Sequence, residues 1–302
     1  MLIGLDFDNT LAHYDSVFAA EARKQCLVSD EWKGTKQELK DKLYSTQGGD
    51  KSWQKIQGQV YGPSMHKAEL FPGVTRFLLR CKLLGHTIFI VSHKTKYGHF
   101  DSTKTLLRQA ALDWMHSRGF FDEDKFSISK NNIFFATTRQ AKIEKINDLN
   151  LDVFVDDLEE VFAEKSFPDI KKILFSKIYK NKYHNIICSN WFNIENSIIG
   201  DITNKEIKYI VNSIYKYPIN NIEKMNGRGN SRLYKLSTSK GNIVLKDYPD
   251  LLNDPRKRLV TETNAFKIVG GLNQTPKVLA FDEPQNIAIY EWIKGVHLSN
   301  IN

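Results

Sequence analysis

Two aspartates one residue apart, at the end of an apolar run, dictate how this chain begins to fold: Ile3-Gly4-Leu5-Asp6-Phe7-Asp8-Asn9-Thr10-Leu11. The apolar residues predict a short buried strand, closed by a polar turn at Thr10. Side chains alternate along a strand, so Asp6 and Asp8 leave on the same side. The strand stops there, which delivers both carboxylates to the C-terminal edge of a sheet, where open α/β sheets place their ligands. Carboxylates this close repel one another unless a metal ion, a proton or a lysine sits between them.

Further segments supply those partners. Val153-Phe154-Val155-Asp156-Asp157 is a second apolar strand ending in paired carboxylates. Hard oxygen ligands from two strand ends suit Mg2+, which keeps water and phosphate oxygens as its other ligands. Ile88-Phe89-Ile90-Val91-Ser92 is a third such strand, ending in a hydroxyl. Lys142 and Lys145 precede the Asp156 strand on nearly one face of a helix. Lys142 is preferred because it lies nearer the helix start.

These stretches, in this order, resemble the haloacid dehalogenase-like (HAD) superfamily from the first residues to about residue 200. The resemblance implies a Rossmann-like parallel sheet with helices on both faces. It also implies a Mg2+-dependent phosphatase of a small phosphorylated metabolite, working through an aspartyl-phosphate. Asp6 is then the nucleophile and Asp8 the acid and base. Asp6, the Asp8 backbone carbonyl, Asp156 and, through water, Asp157 hold the metal, while Ser92 and Lys142 hold the phosphoryl oxygens. Dehalogenase members resemble a pattern with only the first aspartate, because halide needs no proton on leaving, so Asp8 favours phosphate esters.

Residues 12 to about 69 form a polar, helix-rich insertion that resembles a C1 cap, after which the fold resumes at Leu70-Phe71-Pro72-Gly73-Val74. Within it, Thr46 to Trp53 combine a flexible turn, Lys51 and an aromatic; the prediction is a surface turn with Trp53 in the cap core and Lys51 as a minor substrate candidate. Val74, Phe77, Leu78, Cys81 and Leu84 recur at helical spacing and Gly85 stops that helix. A helix is expected from about Ser102 to Ser117 with Leu106, Leu107, Ala110 and Trp114 on one face. His93 adjoins Ser92 and is a candidate to approach the phosphate, but an ordinary loop histidine is the preferred reading. Strands alternating with helices predict a parallel sheet.

At 302 residues the chain is comfortable for two domains, and 41% hydrophobic residues suffice for packed cores. The net charge of +8 suits phosphorylated ligands without demanding nucleic acid, and no aromatic-plus-basic groove supports nucleic-acid end processing. Lys171, Lys172, Lys177, Lys180 and Lys182 read first as a solvated surface and second as a patch for an anionic partner. Cys26, Cys81 and Cys188 lack metal-ligand spacing and fit a reducing compartment. A strand at Leu2 leaves no room for a signal peptide, and no apolar run approaches about 18 residues, so a cytoplasmic protein without a membrane span is expected.

A second unit is expected from Asn204 to the end. Ile207, Ile210, Val211, Ile214 and Tyr215 make a helical core stripe. Asn226-Gly227-Arg228-Gly229-Asn230-Ser231 then precedes strands Arg232–Leu236 and Asn242–Lys246 around a Lys240-Gly241 turn, and Glu262 falls on a helix beginning near Pro255. Strands Pro276–Phe281 and Ile287–Trp292 follow. The set resembles the N-terminal lobe of aminoglycoside phosphotransferase and choline kinase-like proteins, with Lys246 and Glu262 as its ion pair. After Glu291 there is His297 but no aspartate, so transfer of phosphate from ATP by this chain alone is not expected. The alternative function is a binding or regulatory module, or half of a bifunctional kinase-phosphatase, with a protein partner or self-association through the C-terminal lobe.

Overall fold

The computed structural model describes residues 1–101, 103–176, 186–225, 231–249, 256–270 and 275–295. The Asn226–Asn230 glycine turn, Pro255, His297 and Lys177, Lys180 and Lys182 lie outside them. The chain divides into two compact units, Met1–Val74 with Cys81–Ser189, and Thr75–Arg80 with Asn190–Asn302.

The first unit opens with β1 (Leu2–Leu5), β2 (Ala12–His13), α1 (Asp15–Lys24), α2 (Lys36–Tyr44), α3 (Gly49–Tyr61) and β3 (Glu69–Leu70). It continues, after α4 (Val74–Leu83), with β4 (Thr87–His93), α5 (Leu107–Ser117), β5 (Ile133–Ala136), α6 (Arg139–Asp148), β6 (Val153–Asp156), α7 (Glu159–Phe162), β7 (Lys171–Phe175) and β8 (Ile186–Cys188). Six strands form one parallel sheet in the order β5-β4-β1-β6-β7-β8. β1 lies at its centre, with Ile3 opposite Ile88 on one side and Val153 on the other. This is the α/β class that alternating strands and helices predict, and central strands covered on both faces read as continuous apolar runs.

The helical cap leaves the sheet after β1 and returns through β3, which pairs with β2. Phe18 stacks on Trp53 at 5.2 Å, and Leu39, Leu43 and Ile56 are buried with them. Lys51 is exposed on α3. α5 begins at Leu107, five residues later than the expected start near Ser102. Asp101 accepts the amides of Thr103 and Thr105 at 2.9 and 2.7 Å, which holds that stretch as a turn. The buried face of α5 is therefore Leu107, Ala111, Trp114 and Met115, while Leu106 stays exposed.

In the second unit α8 (Trp191–Ile198) and α9 (Asn204–Ile214) precede β9 (Ile219–Met225), β10 (Arg232–Thr238) and β11 (Gly241–Asp247); α10 (Arg258–Val269), β12 (Val278–Asp282) and β13 (Ile287–Glu291) follow. The strands make an antiparallel sheet ordered β12-β13-β11-β10-β9. Ile207, Ile210 and Val211 pack on Leu236, Leu245 and Ile289, so the expected stripe is core. Among the described residues no helix is long and apolar enough to cross a membrane.

Candidate active site

The site grows from the end of β1. The Asp6 amide donates to the Val155 carbonyl at 2.9 Å, which keeps Asp6 in register with β6 and its side chain buried. The chain then doubles back: the amides of Leu11 and Ala12 both donate to the Phe7 carbonyl at 3.0 Å, and Asn9 sits at φ 61°. Asparagine is among the few side chains that occupy that left-handed region readily. The turn directs Asp8 and Thr10 to the same edge, where the Thr10 hydroxyl reaches Asp157 at 3.5 Å.

α6 brings the lysine. Thr138 caps it, its hydroxyl accepting the Ala141 amide at 3.1 Å, and Lys142 follows one turn later. The Lys142 ammonium donates to Asp6 Oδ1 and Asp156 Oδ2, each at 2.6 Å, with all three side chains buried. Lys145 turns away and lies 4.2 Å over the Phe134 ring. The other oxygen of Asp156 accepts the Leu158 amide at 2.9 Å, which fixes the carboxylate at the end of β6.

Asp6, Asp8, Ser92, Lys142 and Asp157 line one cavity of about 300 Å3, joined on its cap side by Lys36, Gln57 and Tyr61. His93 also lines it, its ring bonded to the Thr137 carbonyl at 2.9 Å, as a satisfied loop histidine would be.

Burial, the largest influence, pushes Asp6 up to about 7; the Lys142 charge opposes this, and Asp156 and Asp8 reinforce it. Burial and the same crowding of carboxylates raise Asp157 well above the ordinary aspartate value. Lys142 is raised despite burial because Asp156 and Asp6 hold its proton. Asp6, Asp156 and Asp157 each offer an oxygen within 4.8 Å of the others. Three crowded carboxylates beside a single ammonium leave an excess of negative charge, and an all-oxygen set of this kind fits a hard divalent cation.

The Asp8 carboxylate is held differently. Tyr14 donates to Oδ1 at 2.5 Å, and the buried Lys94 ammonium lies 3.1 Å from Oδ1 and 2.9 Å from Oδ2. Sequence reasoning missed Tyr14, Lys36, Tyr61 and Lys94. Lys94 had a signal, since it stands two residues beyond Ser92 and so on the same side of an extended chain. The cap residues carried none that order in the sequence reveals.

Fold and geometry together define an α/β chain with a carboxylate-lysine centre at the C-terminal edge of its parallel sheet, beneath a helical cap. No family model matches the chain. Over 189 residues, 60% of this chain and 90% of the relative, it is 24% identical to "Putative nucleotidase OB0422" of Oceanobacillus iheyensis. A crystal structure of a HAD-superfamily hydrolase from Ehrlichia chaffeensis aligns with a TM-score of 0.39 at 14% identity, covering 65% of this chain and 95% of that one. A HAD hydrolase of family IA, variant 3, from Entamoeba histolytica also aligns at 0.39 and 14%, covering 70% and 99%.

Proposed function

We propose that the first unit is a HAD-like phosphatase acting on a small phosphorylated metabolite. The observation that carries this is the Lys142 ammonium bridging Asp6 and Asp156 at 2.6 Å, beside Asp8 and Ser92 at one sheet edge. The similarity to a protein named as a nucleotidase supports phosphate-ester hydrolysis.

Lys142 occupies Asp6 Oδ1, and the other oxygen attacks phosphorus. As the P–O bond to the substrate's alcohol breaks, Asp8 gives that oxygen a proton. Asp8 then takes a proton from water, which attacks the phosphorus of the aspartyl-phosphate and releases phosphate and the Asp6 carboxylate. Ser92 and Lys142 donate to the phosphoryl oxygens, where preorganised donors act most strongly. Tyr14 and Lys94 hold Asp8 in position throughout. Asp6, Asp156 and Asp157, with the Asp8 carbonyl, would hold Mg2+, which supplies positive charge against the repulsion between phosphate and nucleophile.

Quenching turnover with borohydride tests the intermediate, because reduction of an aspartyl-phosphate converts that aspartate to homoserine. Homoserine at Asp6 is the expected product; an unlabelled Asp6 under conditions of full turnover contradicts the nucleophile assignment.

In the second unit the Lys246 ammonium meets both oxygens of Glu262, at 2.8 and 2.6 Å, on a five-stranded antiparallel sheet. These support the phosphotransferase-like lobe, and exposed Ile268, Leu279 and Phe281 favour a protein partner or self-association. Concentration-dependent sedimentation tests the latter; a single monomeric species at every concentration contradicts self-association. The three free cysteines are in keeping with a cytoplasmic location.

A further inference from the structure

Lys36 is a cation in the cavity that the hydrolytic steps above do not use. It opens α2, and that start is locked in place. Thr35 accepts the Glu38 amide at 3.2 Å, Glu38 accepts the Thr35 amide at 2.6 Å, and the Lys36 amide donates to Asp15 at 3.0 Å. From there the side chain runs past two rings, its ammonium 5.7 Å from the Phe18 centroid and 5.8 Å from that of Tyr61. The ammonium faces the Tyr61 hydroxyl and feels the more distant charges of Asp157 and Asp8, but among the described residues no carboxylate approaches within 4.0 Å. Lys142 and Lys94, by contrast, each hold a carboxylate.

A withdrawn ammonium is costly unless paired, and it carries three donors, none of which a carboxylate takes among the described residues. Its position is fixed relative to the sheet, because the cap meets the loop after β4 backbone to backbone. A Cβ added at Gly58 would lie 2.2 Å from the His99 carbonyl oxygen, and one added at Gly98 would lie 2.7 Å from the Gly58 Cα. Tyr14 and Phe18 pack edge to face with the Tyr61 ring at 4.9 and 5.7 Å, which fixes the wall on that side.

We propose that Lys36 binds a carboxylate of the substrate, which makes the substrate class a small phosphorylated acid with its carboxylate a few bonds from the phosphate. This rests on the phosphatase reading of the same site and narrows it. A cation on the cap side of the cavity that Ser92 and Lys142 also line can pair with a second acidic group on a compact ester.

The test is calorimetric binding of phosphonoacetate and of methylphosphonate, with Mg2+ present, to wild type, Lys36→Gln and Lys36→Arg. The two probes differ by the carboxylate, and their C–P bonds resist ester hydrolysis. Lys36→Gln should weaken phosphonoacetate by about tenfold or more and methylphosphonate by less than about twofold, the loss expected of one charge-assisted hydrogen bond. Lys36→Arg should restore part of the phosphonoacetate affinity, which a merely misfolded cap would not. Equal loss for both probes would place Lys36 on the phosphoryl group and overturn the proposal, as would no loss for either. Phosphate release from phosphoglycolate and from AMP by wild type is measured alongside. Selective phosphonoacetate binding without any turnover contradicts the phosphatase and leaves Lys36 standing. Turnover of AMP in preference to phosphoglycolate, unaffected by Lys36→Gln, does the reverse.

Discussion

Lys142 decides the electrostatics of the centre, since among the described residues it alone bridges two of the buried aspartates. Replacing it with methionine leaves Asp6 and Asp156 uncompensated and should destabilise the protein by about 3–5 kcal/mol, the usual cost of breaking a buried pair. Urea denaturation measures this, and millimolar Mg2+ should recover part of the loss, because it binds the folded trio and not the unfolded chain. Asp8 makes a different prediction. Asp8→Asn should lower kcat/KM, which reports the steps up to departure of the alcohol, by about 10²–10⁴ for an alkyl phosphate and far less for p-nitrophenyl phosphate, whose leaving group needs no proton. The kcat falls for both, because Asp8 also activates the water. An equal loss of kcat/KM for both esters would remove Asp8 from the acid role. The convergence of Asp6, Asp8, Ser92, Lys142, Asp156 and Asp157 on one sheet edge was legible because each lies at or just past the end of an apolar strand or near the start of a helix. Tyr14, Tyr61 and Lys36 were not, because their approach to the cavity depends on how cap helices pack, which local pattern does not encode.

Among the elements, α3 shows packing overriding propensity. Gly58 lies inside this helix, where alanine would normally be favoured by about 1 kcal/mol. At this position the added methyl meets the His99 carbonyl at 2.2 Å, a backbone clash that displacement of the cap must relieve at about 1–3 kcal/mol. Gly58→Ala should therefore lower the melting temperature and raise KM, and a stabilised variant would show that the cap does not rest on this loop. The sheet strands were legible from their continuous apolar runs, and the Thr35-Lys36-Gln37-Glu38 capping box announces α2 in sequence. The start of α5 was misplaced because Lys104 sits at φ 50°, a left-handed conformation that a right-handed helix cannot pass through and that apolar periodicity does not register.

For the molecule as a whole, chain order and compact units do not coincide. Residues 75–80 belong with 190–302, where Arg80 meets Glu195 at 2.7 Å and Glu206 at 2.8 Å, and Arg76 and Arg232 both bind Asp247. Glu195, Glu206 and Asp247 are buried, so a fragment of residues 190–302 lacks two of the arginines that compensate them. That fragment should fail to show cooperative thermal unfolding; a sharp transition would mean that the arginines are dispensable. Burial alone would raise Glu206, but its bonds to Arg80 and Thr203 outweigh this and hold it below the usual glutamate value of 4.5. Its contribution to stability is thus complete above about pH 4.5 and is lost as pH falls through the lower folded value. Arg80→Met should flatten that acid limb of the stability curve. Nothing in the spacing of Arg76 and Arg80 distinguished them from surface charges on an amphipathic helix, so this part of the architecture was not legible. The Lys246–Glu262 pair was expected only through the resemblance to phosphotransferase-like lobes, and the two groups do meet. Most of these features serve a single claim, that Asp6 is the nucleophile of a phosphatase, and its most direct test is phosphate release from a panel of phosphorylated metabolites with Mg2+, wild type beside Asp6→Asn. The account predicts selective release by wild type and none above background by the variant; release by both at comparable rates would contradict it.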